Sequence, residues 1–329
     1  MIRVGLAGYG LGGSAFHAPL IRACEGLELS GILTSRDVAG RVDSLDALIA
    51  GCDLIVVATP NATHFPFAKA ALEAGRHVVI EKPFTATVEE ADALMALADR
   101  QQRLLTVFHN RRWDSDFLTL RDMLPRLGAV QLFEANWDRF RVEIRDSWKE
   151  APDGSTGLLA DLGSHMIDQV LQLFGPPDAL QADMAKQRPG VRVDDYFQLT
   201  LFYGDMRAVL SGSTLVASAR PRFAVHGMGG SFIKHGLDPQ EGQLKGGLIP
   251  GSPDYGLDPS PGRFVTPSGT TELLPSGRGN YLAFYQGVAQ AIVSGAPPPV
   301  LPNEARDVMR IIELAKRSAD IGERLKLPI

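Results

Sequence analysis

Lys82 and the pair Asp161 and His165 are the residues whose types and spacing could move a proton. Lys82 closes the stretch Arg76-His77-Val78-Val79-Ile80-Glu81-Lys82-Pro83, an apolar run short enough for a buried strand that stops at a charged pair. Pro83 disfavours the helical region for the residue before it, so the lysine is expected to be extended at a strand tip. In a parallel sheet the carboxyl tips are where ligands bind. A solvated Glu81/Lys82 pair beside a turn is the plain alternative. Asp161 and His165 lie four apart within Gly157-Leu158-Leu159-Ala160-Asp161-Leu162-Gly163-Ser164-His165-Met166-Ile167-Asp168, and Asp168 follows three residues on, so all three share one helix face. Val170, Leu171 and Leu173 continue the apolar pattern and make the helix mostly buried, where an unpaired polar group costs about 1–3 kcal/mol. Three explanations fit: acid–base work with Asp161 orienting or charging His165, a structural buried network, or a metal site. The metal reading lacks a further cluster of histidine or cysteine.

A cofactor site would have to stand at the same sheet edge as Lys82. Ile2 to Ala7 reads as a buried strand, a helix pattern begins near Ser14, and Gly8-Tyr9-Gly10-Leu11-Gly12-Gly13 lies between them. In that context G-x-G-x-x-G gives a tight turn at Gly8, close approach of a pyrophosphate at Gly10 and close helix packing at Gly13. The helix start then offers unpaired N–H groups and a positive dipole end. Candidate contacts in this turn are Gly8, Tyr9, Gly10, Leu11 and Gly13. A second strand, Leu27 to Leu33, ends in Thr34-Ser35-Arg36, where an NAD-preferring site usually has an acid. Ser35 and Arg36 would instead suit a 2′-phosphate, which predicts NADP over NAD. Asp37 follows directly, and an ordinary polar turn is the alternative.

Asp53 to Thr59 is a third strand, and a helix opens at Asn61-Ala62-Thr63-His64. Thr59, Asn61 and His64 are candidate cofactor contacts, together with Glu81 and Lys82; His64 reads equally as a helix-start residue facing solvent. Thr87 with Glu90 forms a capping-box pattern, and Leu104 to Phe108 is a fifth strand ending in His109-Asn110-Arg111-Arg112-Trp113. This alternation is that of a doubly wound parallel sheet. From about residue 128 the texture changes: 130–138 reads as a strand, and 196–203, 206–214, 222–227 and 230–234 read as consecutive short strands joined by glycine turns too short for crossovers, which suits antiparallel sheet. Two helices are expected at 281–294 and 303–321, the second capped by Asn303, after a Gly- and Pro-dense irregular excursion at 237–280.

Composition bounds the rest. A length of 329 residues favours two domains, and 45% apolar with 22% charged residues is ordinary for a globular chain. A net charge of -5 argues against nucleic acid as a main partner. No apolar run approaches the ~20 residues of a membrane span, and no leader pattern opens the chain. Two cysteines, Cys24 and Cys52, are too few for a disulfide framework, so a cytoplasmic protein is expected.

The glycine turn, Glu81-Lys82-Pro83 and the Asp161…His165 motif, in this order and at this separation, resemble the Gfo/Idh/MocA oxidoreductase family over essentially the whole chain. Within it, Phe16-His17-Ala18-Pro19-Leu20, His109 to Asp114, Asp161 to Gln169 and Gly227 to Gly236 are similar to the NADP-dependent scyllo-inositol dehydrogenases. The segment 237–280 departs from that pattern. The resemblance implies an α/β protein: a Rossmann domain at 1–122, then a substrate-binding and oligomerisation domain at 123–329 with a large open, mainly antiparallel sheet. It implies that Lys82, Asp161 and His165 converge beside the nicotinamide as catalytic residues, either Lys82 or His165 being the base. Asn110, Arg139, Trp148 and Asp168 are candidate contacts for substrate hydroxyls. The implied partner is a small polyol or sugar, best scyllo-inositol or a keto-inositol, in a homodimer or homotetramer. The alternatives are an aldose, deoxysugar or cyclic-diol dehydrogenase, an NAD-dependent redox-cycling glycosidase, and a non-catalytic NADPH-binding regulator.

Overall fold

The computed structural model describes residues 1–144, 150 and 156–327. The chain forms two compact units, each assembled from three stretches, where a single cut near residue 122 is the simpler expectation. The first comprises Met1–Asp114, Pro239–Gly256 and Asn280–Asp307; the second comprises Ser115–Asp238, Leu257–Gly279 and the chain from Val308 onward.

The first unit is built on a parallel sheet of β1 (Ile2–Ala7), β2 (Leu27–Leu33), β3 (Arg41–Val42), β4 (Leu54–Val57), β5 (His77–Ile80) and β6 (Leu105–Val107), in the order β3-β2-β1-β4-β5-β6. Leu54, Ile55, Val56 and Val57 are fully buried, as a strand covered by helices on both faces requires. The register decides where the chemistry can go. Leu33 pairs with Ala7, Ala7 with Val57, Val57 with Ile80 and Ile80 with Val107. Five strand ends therefore stand in one row, about 19 Å long at the usual strand spacing. The residues that follow them (Gly8, Thr34, Ala58, Glu81 and Phe108) leave the sheet at one edge. The strand order reverses between β1 and β4, the switch point where such sheets bind ligands.

The second unit holds a nine-stranded sheet. Its strands are β7 (Val130–Asp138), β8 (Ala179–Ala185), β9 (Tyr196–Tyr203), β10 (Met206–Ser213), β11 (Phe223–Gly227), β12 (Gly230–Lys234), β13 (Gly262–Val265), β14 (Thr271–Leu274) and β15 (Leu325–Lys326). They run in the order β14-β13-β12-β11-β7-β10-β9-β8-β15, with β7 parallel to β10 and the other pairs antiparallel. Phe133, Ala135 and Trp137 alternate inward along β7 and join Phe197, Phe223, Phe232, Ile167 and Val170 in the core. The segment 237–280 is more regular than its glycine and proline content suggests: it contains the helix Gln240–Lys245 and the β13–β14 hairpin.

Two helix starts differ from expectation in detail. Thr87 caps Val88–Gln101 by accepting from the Glu90 N–H at 3.3 Å, but the Glu90 carboxylate reaches the Ala86 N–H rather than closing a reciprocal box. Asn303 lies inside the helix Pro302–Ile321 instead of capping it. Pro302 suits the first helical position, and Glu304 reaches back to accept from the Leu301 N–H at 3.1 Å.

Candidate functional site

The glycine turn is wedged between strand ends. Gly8 has φ +97°, and a Cβ there would lie 2.4 Å from the Ala58 carbonyl oxygen. A Cβ on Gly13 would lie 2.1 Å from the Gly8 carbonyl oxygen. Nothing stands within 4 Å of the Cβ position of Gly10, and Gly10 and Leu11 are exposed. The turn is thus closed towards the protein and open outward at Gly10, which fits the close approach of a pyrophosphate. The chain enters its helix through a π-type turn, Gly12–His17, whose end is marked by the Ala18 N–H donating to the Gly13 carbonyl. Sequence reasoning expected an ordinary helix from Ser14; π turns are uncommon and concentrate at functional sites. At the next strand end Ser35 and Arg36 are both exposed, with the Arg36 N–H donating to the Thr34 hydroxyl at 3.2 Å.

Glu81 and Lys82 follow β5 directly, and the Lys82–Pro83 bond is cis. The Glu81 carboxylate accepts from the Lys82 N–H at 2.9 Å, and its other oxygen lies 3.1 Å from His17 Nε2. Burial pushes the Glu81 carboxyl up, but the His17 hydrogen bond and the nearby positive charges outweigh it and hold it below its usual value. His64 is buried, which overturns its reading as a solvent-facing helix start. Its ring nitrogens lie 2.9 Å from the Pro83 carbonyl and 3.0 Å from the Thr59 carbonyl. The imidazole therefore stands between the loop after β4 and the loop after β5, and in its neutral form donates to one of the two carbonyls. Burial lowers its pKa, and the two carbonyls and Glu81 offset only part of that. Thr59 accepts from the Thr63 hydroxyl at 2.7 Å, and Asn61 is buried at the same loop.

In the second unit the Asp161/His165 helix also opens with a π-type turn, Leu159–Gly163, before the α-helix Ser164–Phe174. Its cap comes from far along the chain: the Asp194 carboxylate accepts from the Leu159 N–H at 2.7 Å, and the Asp194 carbonyl from the Leu158 N–H at 2.9 Å. Burial pushes the Asp194 carboxyl up, and the Leu159 amide offsets part of that. Gly157, with φ +102°, leaves room for this carboxylate, since a Cβ there would overlap it. His165 and Asp168 are buried, while Asp161 is partly exposed. The Trp137 ring lies 6.1 Å from the His165 ring and is backed by the buried Arg222 guanidinium at 4.9 Å. Arg222 donates to Gln169 at 2.6 Å and pairs with buried Asp116 at 3.6 Å. A buried pair of this kind contributes little net stability, but it fixes the ring wall beside the imidazole.

The structure thus groups the sequence-predicted residues in two sets. Gly8, Tyr9, Gly10, Leu11, Gly13, Ser35, Arg36, Thr59, Asn61, His64, Glu81 and Lys82 belong to the strand-end row of the first unit, where Asn110 opens the short helix Asn110–Trp113 after β6. Asp161, His165, Asp168 and Arg139 belong to the second unit; the Arg139 N–H donates to the Ser213 carbonyl at 2.9 Å, just past β7. Trp148 lies outside the described residues. Sequence reasoning missed His17 as a partner of Glu81, Asp194 as the helix cap, and Arg222 with Asp116 behind Trp137. Among the described residues no group of three or more His, Cys, Asp or Glu could hold a metal ion, and no helix is long and apolar enough to cross a membrane.

Comparison with known proteins assigns nearly the whole chain. Residues 2–109 match the NAD-binding Rossmann fold of the Gfo/Idh/MocA oxidoreductase family, and residues 122–327 match that family's C-terminal alpha/beta domain. An uncharacterized oxidoreductase of Escherichia coli, YdgJ, is 44% identical, the match covering 97% of this chain and 96% of the relative. The scyllo-inositol 2-dehydrogenase (NADP(+)) IolW of Bacillus subtilis is 41% identical over 97% of this chain and 94% of its own. The solved structure of the YPO2259 putative oxidoreductase from Yersinia pestis superposes with a TM-score of 0.95 at 44% identity, over 100% of this chain and 97% of that one. With the strand-end row and its glycine turn already in place, these matches make the chain a member of the Gfo/Idh/MocA family of NAD(P)-dependent oxidoreductases.

Proposed function

We propose that this protein is an NADP-dependent dehydrogenase that interconverts a ring secondary alcohol of a polyol or sugar and its ketone, with scyllo-inositol and the keto-inositol as the substrate pair. The observation that carries the reading is the 41% identity to the Bacillus subtilis scyllo-inositol dehydrogenase, which runs through both units. Gly8, Tyr9, Gly10, Leu11 and Gly13 would hold the pyrophosphate of the dinucleotide. Ser35 and Arg36 would hold its 2′-phosphate, and the loops carrying Thr59, Asn61, His64, Glu81 and Lys82 the nicotinamide half. When bound, that cofactor supplies the hydride acceptor for oxidation and the hydride donor for reduction.

The protein's own groups handle charge and protons. His165, polarised by Asp161, takes the hydroxyl proton, and Lys82 donates a hydrogen bond to the same oxygen and stabilises the charge that develops there. Asn110, Arg139 and Asp168 hydrogen-bond other hydroxyls of the ring. A panel of inositol isomers and common aldoses with NADP⁺, followed by NADPH absorbance, tests the substrate class. The expected result is turnover with scyllo-inositol above all aldoses; turnover confined to aldoses would move the assignment to a sugar dehydrogenase.

Cofactor choice has its own test. Arg36 and Ser35 are exposed at the end of β2, and the residue directly after that strand is Thr34 rather than an acid. A charge-assisted contact of this type contributes about 1.5–3 kcal/mol, so Arg36→Ala is expected to raise the KM for NADP roughly ten- to hundredfold. The KM for NAD should stay within about twofold, since it lacks the phosphate. Equal effects on both cofactors would remove the 2′-phosphate argument.

A further inference from the structure

Behind Glu81 lies a hydrogen-bonded chain that reaches into a distant part of the sequence. His17 is fully buried at the end of the π turn, with the Phe108 ring 4.4 Å away and the Tyr285 ring edge-on at 6.0 Å. Its Nδ1 lies 2.5 Å from the Tyr285 hydroxyl and its Nε2 lies 3.1 Å from Glu81 Oε1, while Glu81 Oε2 accepts from the Lys82 N–H at 2.9 Å. Tyr285 is itself fully buried, on the helix Leu282–Ser294 that the late stretch Asn280–Asp307 returns to the first unit.

The chemistry gives this chain a direction. Burial holds the Tyr285 phenol well above its usual pKa, so it keeps a proton that it can donate to Nδ1 when His17 carries its hydrogen on Nε2. In that tautomer the imidazole donates to Glu81. One carboxylate oxygen is fixed by His17 and the other by the amide of Lys82, so neither can turn without breaking a bond. Fixing that amide fixes the backbone from which the Lys82 side chain leaves the strand end.

We propose that Tyr285 and His17 are positioning residues for Lys82, acting through the Glu81 carboxylate. The inference rests on the reading of Lys82 as the group that contacts the substrate oxygen. A purely structural role would tie the helix Leu282–Ser294 to the sheet without affecting where the lysine points.

Two readouts on the full-length protein separate these. The first needs no substrate: lysines are reductively methylated with ¹³C-formaldehyde, and the Lys82 signal is assigned by its loss in Lys82→Arg. Tyr285→Phe and His17→Leu are expected to shift that signal and its titration midpoint while leaving the other lysine signals in place. The second is turnover of scyllo-inositol with NADP⁺. Displacement of a reacting group by a fraction of an ångström predicts a loss in kcat of about tenfold for Tyr285→Phe and about a hundredfold for His17→Leu, with the KM for NADP within about twofold. His17→Gln, which can still donate to Glu81, should recover part of the loss. Tyr285→Phe removes one oxygen and keeps the ring, so it stays informative if His17→Leu fails to fold. An unmoved Lys82 signal in folded variants overturns the proposal, as does equal loss in His17→Gln and His17→Leu. Full turnover in Lys82→Ala, together with a shifted Lys82 signal in Tyr285→Phe, would instead overturn the catalytic reading of Lys82 and leave its positioning standing.

Discussion

Lys82→Ala is expected to reduce kcat by about 10²–10⁴-fold, the range for removing a group that handles charge or a proton at the reacting oxygen. NADPH binding should change little, because the pyrophosphate and 2′-phosphate contacts proposed above involve other loops of the strand-end row. The structure sharpens this expectation in two ways. Lys82 follows a strand whose Val78, Val79 and Ile80 are fully buried, so truncating a side chain beyond it leaves the core intact. The amide that holds Glu81 belongs to the backbone and survives the substitution. The variant should therefore stay folded, making the loss one of chemistry. His165→Ala should cost a similar factor, and the pH profiles then assign the roles. If His165 is the base, Lys82→Ala keeps the acid limb of the kcat profile and His165→Ala loses it; the reverse pattern exchanges them. Wild-type turnover in either folded variant would falsify that residue's assignment.

The parts legible in the sequence were those written in short-range pattern. The Rossmann strands announced themselves as apolar runs ended by Gly, Pro or polar residues. Asp161 and His165 could be paired because four residues bring them to one helix face. What escaped depends on contacts between distant residues. His17 and Tyr285 are separated by 268 positions, and nothing local in Phe16-His17-Ala18 marks an imidazole between a phenol and a carboxylate. Asp194 caps the Asp161/His165 helix from 35 residues downstream, a partner that no local pattern announces. The two π turns are set by close packing, Gly13 against Gly8 and Gly163 against Leu159 and Phe197, which periodicity does not reveal. His64 read either as a cofactor contact or as a solvent-facing helix start; its place between the Pro83 and Thr59 carbonyls depends on a loop 19 residues away. The strand β3 is two residues long, below what an apolar pattern can signal.

The glycine turn allows a contrast in which structure and binding separate. Gly13→Ala puts a methyl 2.1 Å from the Gly8 carbonyl oxygen, a backbone atom that cannot rotate away. The turn is also held on its other side, where Gly8 meets the Ala58 carbonyl, so relief requires shifting β1 against β4. Overpacking of this kind costs about 1–3 kcal/mol and occasionally more, and the variant is expected to melt at clearly lower temperature and to lose NADPH binding as a consequence. Gly10→Ala should behave oppositely. Its Cβ meets no atom within 4 Å, so the melting temperature should be unchanged while the affinity for NADPH falls. The loss should be about tenfold or more, because the methyl occupies the space through which a pyrophosphate approaches the backbone. Calorimetry of the two folded proteins, with and without NADPH, reads both quantities at once. Undiminished NADPH affinity in Gly10→Ala would place the phosphates elsewhere on the strand-end row, and an undisturbed melt in Gly13→Ala would mean that the turn can open without shifting β1 against β4.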